Sequence, residues 1–249
     1  MNDLAIIFLL SATAGLATGV GGVMAIVRRP SEKQFGFLMG FTAGVMIALA
    51  FVGLLDEAWE EAGFGTATIA FAVGALLMFA VDIFLPHIRF AVQEPGILDQ
   101  RLFTTGVLIA VGITLHNMPE GAAVGAGYLK APEFGVMVAV VIGLHNVPEG
   151  VAVALPIYAS GASKWAAIRL SLFVGLVEPA GALVAALILR GFEGLVPAAL
   201  AFAAGVMTFI TLDELVPAAR RDGQHEHYTA LGIISGSICA FVLVGAFGV

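Results

Sequence analysis

The chain is predicted to be an all-α membrane protein of eight transmembrane helices, on three observations. Of its 249 residues, 60% are hydrophobic and 12% charged, with a mean hydropathy of +1.02, whereas soluble domains carry about 25% charged residues. Its polar breaks leave apolar segments of roughly 20 residues, the length that crosses ~30 Å of hydrocarbon. Those segments lack the alternation of barrel strands, and a bilayer admits only helices or closed barrels because every backbone N–H and C=O must be satisfied within the protein.

The first segment, 4–27, starts from Met1-Asn2-Asp3 without a basic side chain and is followed by Arg28-Arg29, so it reads as a retained helix rather than a secretory leader. The second, 35–55, ends in an acid-rich turn, Asp56-Glu57-Ala58-Trp59-Glu60-Glu61, and the third covers 64–85. Segments 103–127 and 134–157 are joined by the short stretch 129–133 and form an antiparallel hairpin. Segments 166–189, 195–217 and 228–248 complete one polytopic domain over 1–249. Nine of the eleven basic residues fall in odd-numbered loops: Arg28, Arg29, Lys33, Arg89, Arg101, Lys164, Arg169, Arg220 and Arg221. Only Lys130 and Arg190 lie on the other side. Basic loops stay cytoplasmic, so both termini are expected outside a plasma (inner) membrane, with the acid-rich turn on that same outer side. The formal charge of -7 carries little information about a nucleic-acid or membrane-surface partner, because many acids sit in motifs or short loops, but no basic patch is present and no nucleic-acid partner is expected. Cys239, the single cysteine, can form no intrachain disulfide.

Two self-similarities organise these segments. Gly15-Leu16-Ala17-Thr18-Gly19-Val20-Gly21 resembles Gly175-Leu176-Val177-Glu178-Pro179-Ala180-Gly181, and Ala43-Gly44-Val45-Met46 resembles Ala204-Gly205-Val206-Met207, at offsets of 160 and 161. A near-constant shift equates helices 1 to 3 with helices 6 to 8, which run in opposite directions. That predicts a 3+2+3 arrangement with an inverted repeat, the plan of carriers whose substrate site lies near the midplane. Small-residue runs also recur in membrane helices simply because they permit close packing. The second similarity is stronger: His116-Asn117-Met118-Pro119-Glu120-Gly121 returns 29 residues later as His145-Asn146-Val147-Pro148-Glu149-Gly150.

On a helix, His116, Asn117 and Glu120 share one face through i+3 and i+4 spacing, and His145, Asn146 and Glu149 repeat it. Burying an imidazole and a carboxylate in lipid costs several kcal/mol unless something compensates, and a divalent cation compensates both. Pro119 and Pro148 deprive the Leu115 and Leu144 carbonyls of helical donors and are expected to bend the helices. Glu178, followed by Pro179, adds a third intramembrane acid at the same depth, with pairing to Thr18 as its structural alternative. Three carboxylates together are untenable in a low dielectric without cations or protons. Met46 and Met207 read as packing residues. The end-of-helix pairs Asp56-Glu57 and Asp213-Glu214 are either cation guides or solvated acids, and His225-Glu226-His227 reads as a solvated loop.

At these residues the chain resembles the ZIP family (Zrt-, Irt-like proteins) of divalent metal importers, over essentially all eight segments. The resemblance implies eight helices with both termini outside. His116, Glu120, His145 and Glu149 would then form the main metal site, and Asn117, Asn146 and Glu178 would complete an adjacent one bridged by the motif glutamates. Glu214-Leu215-Val216-Pro217 matches an acid-Leu-x-Pro feature of the family. Many relatives have a histidine-rich third loop, but 86–101 holds only His87, so metal sensing there is not expected. The lack of a large domain before helix 1 is similar to the small prokaryotic members.

The expected activity is therefore uptake of a divalent cation, Zn²⁺ first, with Fe²⁺, Mn²⁺ or Cd²⁺ admitted by the same imidazole and carboxylate donors. The metal is cargo rather than a prosthetic group, no catalytic residue is assigned, and the partners are the ion, the bilayer and, at most, a second copy as a homodimer. No Gly-x-x-x-x-Gly-Lys-Ser/Thr motif is present to drive transport with ATP. An intramembrane metalloenzyme using the same ligands, an ion-coupled carrier of an organic solute and a passive channel remain as alternatives.

Overall fold

The computed structural model of the chain describes residues 3–84, 96–220 and 226–248, all regular structure among them being helical. His87 and Arg89 of the third loop, and Arg221 and His225 of the seventh, lie outside the described residues. Helix α1 spans Asp3–Val27 and α2 spans Glu32–Ala48. Between them Ser31 closes a capping box, its Oγ accepting from the Gln34 N–H while the Gln34 side chain accepts from the Ser31 N–H. A π-helical stretch, Leu49–Leu55, leads into α3, Asp56–Phe84.

Gly63 interrupts α3 with φ 79 and ψ 156, a left-handed conformation open to glycine. The apolar run Glu32–Phe84 has 53 residues, which as one straight helix would extend ~80 Å, far beyond the ~30 Å of hydrocarbon. Helix α4 covers Gln100–Lys130, capped by Asp99, and α5 covers Pro132–Ala159. Ala131 alone separates them, in extended backbone, and Pro132 starts α5 where its missing N–H costs nothing. The expected joint at 129–133 is thus shorter because both helices extend into it.

The sixth segment departs most from its expectation. It comprises two helices, α6 at Lys164–Gly175 and α7 at Glu178–Leu189, with Leu176 and Val177 between them. Pro179 has no N–H for the Gly175 carbonyl, and the helical ladder stops there. A 3-10 turn, Glu193–Leu195, precedes α8, Val196–Ile210. A second π-helical stretch, Thr211–Leu215, then leads to the short α9, Val216–Ala219, and α10, Glu226–Phe247, closes the described chain. Among the described residues, counted as continuous runs, seven helices are long and apolar enough to cross a membrane. Their outer faces carry large apolar side chains such as Ile69, Val73, Leu76 and Leu77 on α3 and Leu231, Ile234, Ile238 and Val242 on α10, as lipid-facing surface requires.

Glycine contacts set the helix register, and they come in related pairs. A Cβ on Gly15 would strike the Gly175 carbonyl, and one on Gly175 the Gly15 carbonyl. Gly21 packs on the Val147 carbonyl as Gly181 packs on the Met118 carbonyl, and Gly150 on the Thr18 carbonyl as Gly121 on the Glu178 carbonyl. Further out, Gly44 meets the Ile233 carbonyl as Gly205 meets the Phe71 carbonyl. Such backbone approach is open only to small residues, and without a hydrophobic drive between helices in lipid it supplies much of the packing. At one end of the hairpin, Lys130 pairs with Glu57 and with Glu61 at 3.3 Å, fastening it to the start of α3.

Candidate metal centre

Helices α4, α5 and α7 bring His116, Asn117, Glu120, His145, Asn146, Glu149 and Glu178 into the interior, and all seven are fully buried. The two motifs pair crosswise. His145 Nε2 lies 3.1 Å from Glu120 Oε1, and His116 Nε2 lies 3.7 Å from Glu149 Oε1. Each helix thus presents its histidine to the other's glutamate, a result of i,i+4 faces meeting in an antiparallel pair.

Ligand atoms of Glu120, His145 and Glu149 all lie within 4.8 Å of one another. A tetrahedral zinc with bonds of ~2.0 Å holds its donor atoms ~3.3 Å apart, so small side-chain rotations suffice to close the three around an ion. His116 borders this group through Glu149. Glu178 stands to the side: its Oε1 accepts from Asn146 Nδ2 at 2.5 Å, while its Oε2 has no partner. Asn146 Nδ2 also donates to the Ala14 carbonyl at 2.9 Å, and Asn117 Nδ2 donates to the Val174 carbonyl at 3.1 Å. Both amides are thereby oriented with their oxygens unpaired. The Thr42 hydroxyl donates to the His145 carbonyl at 3.3 Å and ties α2 to the same turn of α5.

Buried polar atoms are normally paired. Here both ring nitrogens of His116, Nδ1 of His145, Oε2 of Glu120 and both carboxylate oxygens of Glu149 have no hydrogen-bond partner. So dense a set of idle nitrogen and oxygen donors fits the coordination of a cation. Pro119 and Pro148 sit inside continuous helices, whereas the helical run is interrupted just before Pro179. Met46 and Met207 are buried, Met46 Sδ facing the Thr211 hydroxyl at 3.8 Å.

Sequence reasoning did not assign Glu214 to the centre. Its Oε2 lies 3.9 Å from His116 Nδ1, and its side chain keeps 33% exposure, so it links the buried histidine to solvent. Gly112, one turn before His116, leaves room for it: a Cβ there would stand 3.3 Å from the same oxygen. The π-helical stretch Thr211–Leu215 carries Glu214, and such insertions often mark functional positions. The sequence offered two hints of the role, its place in the end-of-helix pair Asp213-Glu214 and the acid-Leu-x-Pro match, but neither tied it to His116.

Comparison with known proteins gives a consistent result. Residues 91–245 match the family model described as ZIP Zinc transporter. The chain is similar to the zinc transporter ZupT of Corynebacterium efficiens, 41% identical over 253 residues, covering 93% of this chain and 94% of the relative. The protein of that name from Chlorobium luteolum is 40% identical, with 95% and 96% covered. The one from Akkermansia muciniphila is 38% identical, with 98% of each covered.

Proposed function

The chain belongs to the ZIP family of zinc transporters, and from that premise we propose that it carries divalent metal ions, zinc foremost, across the membrane into the cytoplasm through the cluster on α4, α5 and α7. It is a transporter and not an enzyme, as its relatives are named. The observation that carries the reading is the convergence of two histidines and two glutamates, fully buried, with most of their donor atoms idle. His116, Glu120, His145 and Glu149 are the main ligands, and Asn117, Asn146 and Glu178 extend the site. One chain supplies all seven side chains, so the site itself needs no second copy.

The whole chain acts as one transmembrane domain of eight spans. The break at Gly63 supports dividing the long run Glu32–Phe84 into two crossings. The related glycine contacts and the matched amide bonds to Ala14 and Val174 support a 3+2+3 inverted repeat about the α4 to α5 hairpin. The basic loops favour both termini outside a plasma (inner) membrane. The hydrated ion exchanges its water for these nitrogens and oxygens, and the two sides of the membrane gain access in turn as the hairpin and its glycine-packed neighbours move against the rest. Fe²⁺, Mn²⁺ and Cd²⁺ suit the same donors.

Uptake of radioactive zinc into proteoliposomes tests the reading. The native chain should accumulate zinc without ATP, and E149A should lose about 100-fold or more, since even outer partners of metal ligands cost 10 to 100-fold. Native uptake by E149A would remove the assignment.

A further inference from the structure

We propose that Thr18 is a further polar residue of the cation site, supplying a neutral oxygen beside Asn117 where Glu178 supplies a charged one beside Asn146. The proposal rests on the reading of the cluster as a metal site. Thr18 lies in the middle of α1, fully buried, and its Oγ1 has no hydrogen-bond partner. Buried hydroxyls on helices usually bond back to the carbonyl four residues earlier, as Ser11 does to Ile7 at 2.8 Å and Thr211 to Met207 at 2.7 Å. Thr18 does not, and the Ala14 carbonyl takes Asn146 instead.

Its surroundings identify what the hydroxyl serves. Thr18 Oγ1 lies 2.7 Å from where a Cβ of Gly175 would stand. The next residue back, Val174, offers the carbonyl that holds Asn117 Nδ2 at 3.1 Å. Asn117 Oδ1 is likewise buried and unpaired. The Gly175 carbonyl has no helical donor, because the residue four positions on is Pro179. On the related side, Asn146 donates both to the Ala14 carbonyl and to Glu178 Oε1, and a Cβ on Gly15 would stand 3.5 Å from that same oxygen. By this correspondence Thr18 on α1 matches Glu178 on α7, with Asn117 and the Val174 carbonyl in the places of Asn146 and the Ala14 carbonyl. A second glutamate would bury a further carboxylate beside Glu120 and Glu149. The hydroxyl offers a donor atom to the ion or its last water without that charge.

Zinc titration of the purified full chain in lipid nanodiscs decides the matter. Loss of one hydrogen-bonding oxygen of ordinary strength, about 1 kcal/mol, corresponds to a weakening of about fivefold in T18V, while T18S should stay within about twofold of native. T18A removes the hydroxyl without the branched bulk and should match T18V. Native affinity in T18V and T18A would overturn the proposal, as would a loss in T18S equal to theirs, which would mark a packing role. E149A separates the two levels. If it leaves zinc affinity unchanged, the cluster is not the metal site; if it abolishes binding while T18V does nothing, only the assignment of Thr18 fails.

Discussion

Helix α1 and the broken pair α6 and α7 each hold the central hairpin through the same kinds of contact, yet only the pair brings a buried acid and an opened backbone to it. Gly15 faces Gly175, Gly21 and Gly181 each pack on a hairpin carbonyl, and Ala14 and Val174 each accept an asparagine amide. The difference is concentrated in one dipeptide, Thr18-Gly19 against Glu178-Pro179. Gly19 keeps an N–H, and α1 runs unbroken for 25 residues. Pro179 has none, and the ladder stops before Glu178. Matching contacts on the two sides thus tolerate different chemistry at two adjacent positions, because glycine contacts fix the backbones whatever the neighbouring side chain bears.

The largest effect that would break this comparison comes from the acid. E178Q keeps the shape and the contact to Asn146 but removes a charge, and zinc affinity should weaken by about 10-fold or more. The pH dependence sharpens the point. Metal binding needs neutral imidazole and ionised carboxylate, so native affinity should fall as the pH drops from about 7.5 to about 5.5. With one fewer carboxyl group competing for protons, E178Q should fall less steeply. Titration calorimetry at three pH values checks both, and equal slopes would detach Glu178 from the bound ion.

A smaller effect tests the frame itself. G15A and G175A each drive a methyl group into the other glycine's carbonyl, and overpacking of this kind costs about 1–3 kcal/mol. Melting temperatures in detergent should drop by similar amounts, and tolerance of one but not the other would break the equivalence. The smallest effect is expected for P179A, which restores an N–H to the Gly175 carbonyl. One regained hydrogen bond is worth about 1 kcal/mol, so the melting temperature should rise slightly while zinc uptake slows.

Part of this centre is legible before any fold is known. His116, Glu120, His145 and Glu149 announce themselves because charged and imidazole groups are rare within apolar segments and recur here in the same order. The break at Leu176 and Val177 was foreshadowed only by Pro179, since Pro119 and Pro148 pass through continuous helices. Whether a proline bends, breaks or merely decorates a helix depends on what neighbouring helices offer the freed carbonyl. Glu214 was harder still: it stands 98 residues from the histidine it faces, and no local pattern records that approach.

By itself the sequence determined that the chain is helical and apolar enough to cross a bilayer repeatedly, and that two like ligand sets share their helices' faces. Hydropathy and i,i+4 spacing are local properties, and lipid enforces them segment by segment. Only the tertiary structure decided that each histidine faces the other helix's glutamate, that Glu214 reaches His116, and that Asn146 holds Glu178 and the Ala14 carbonyl together. Those relations depend on interhelical register, which close backbone contacts at glycines distant in the chain hold in place.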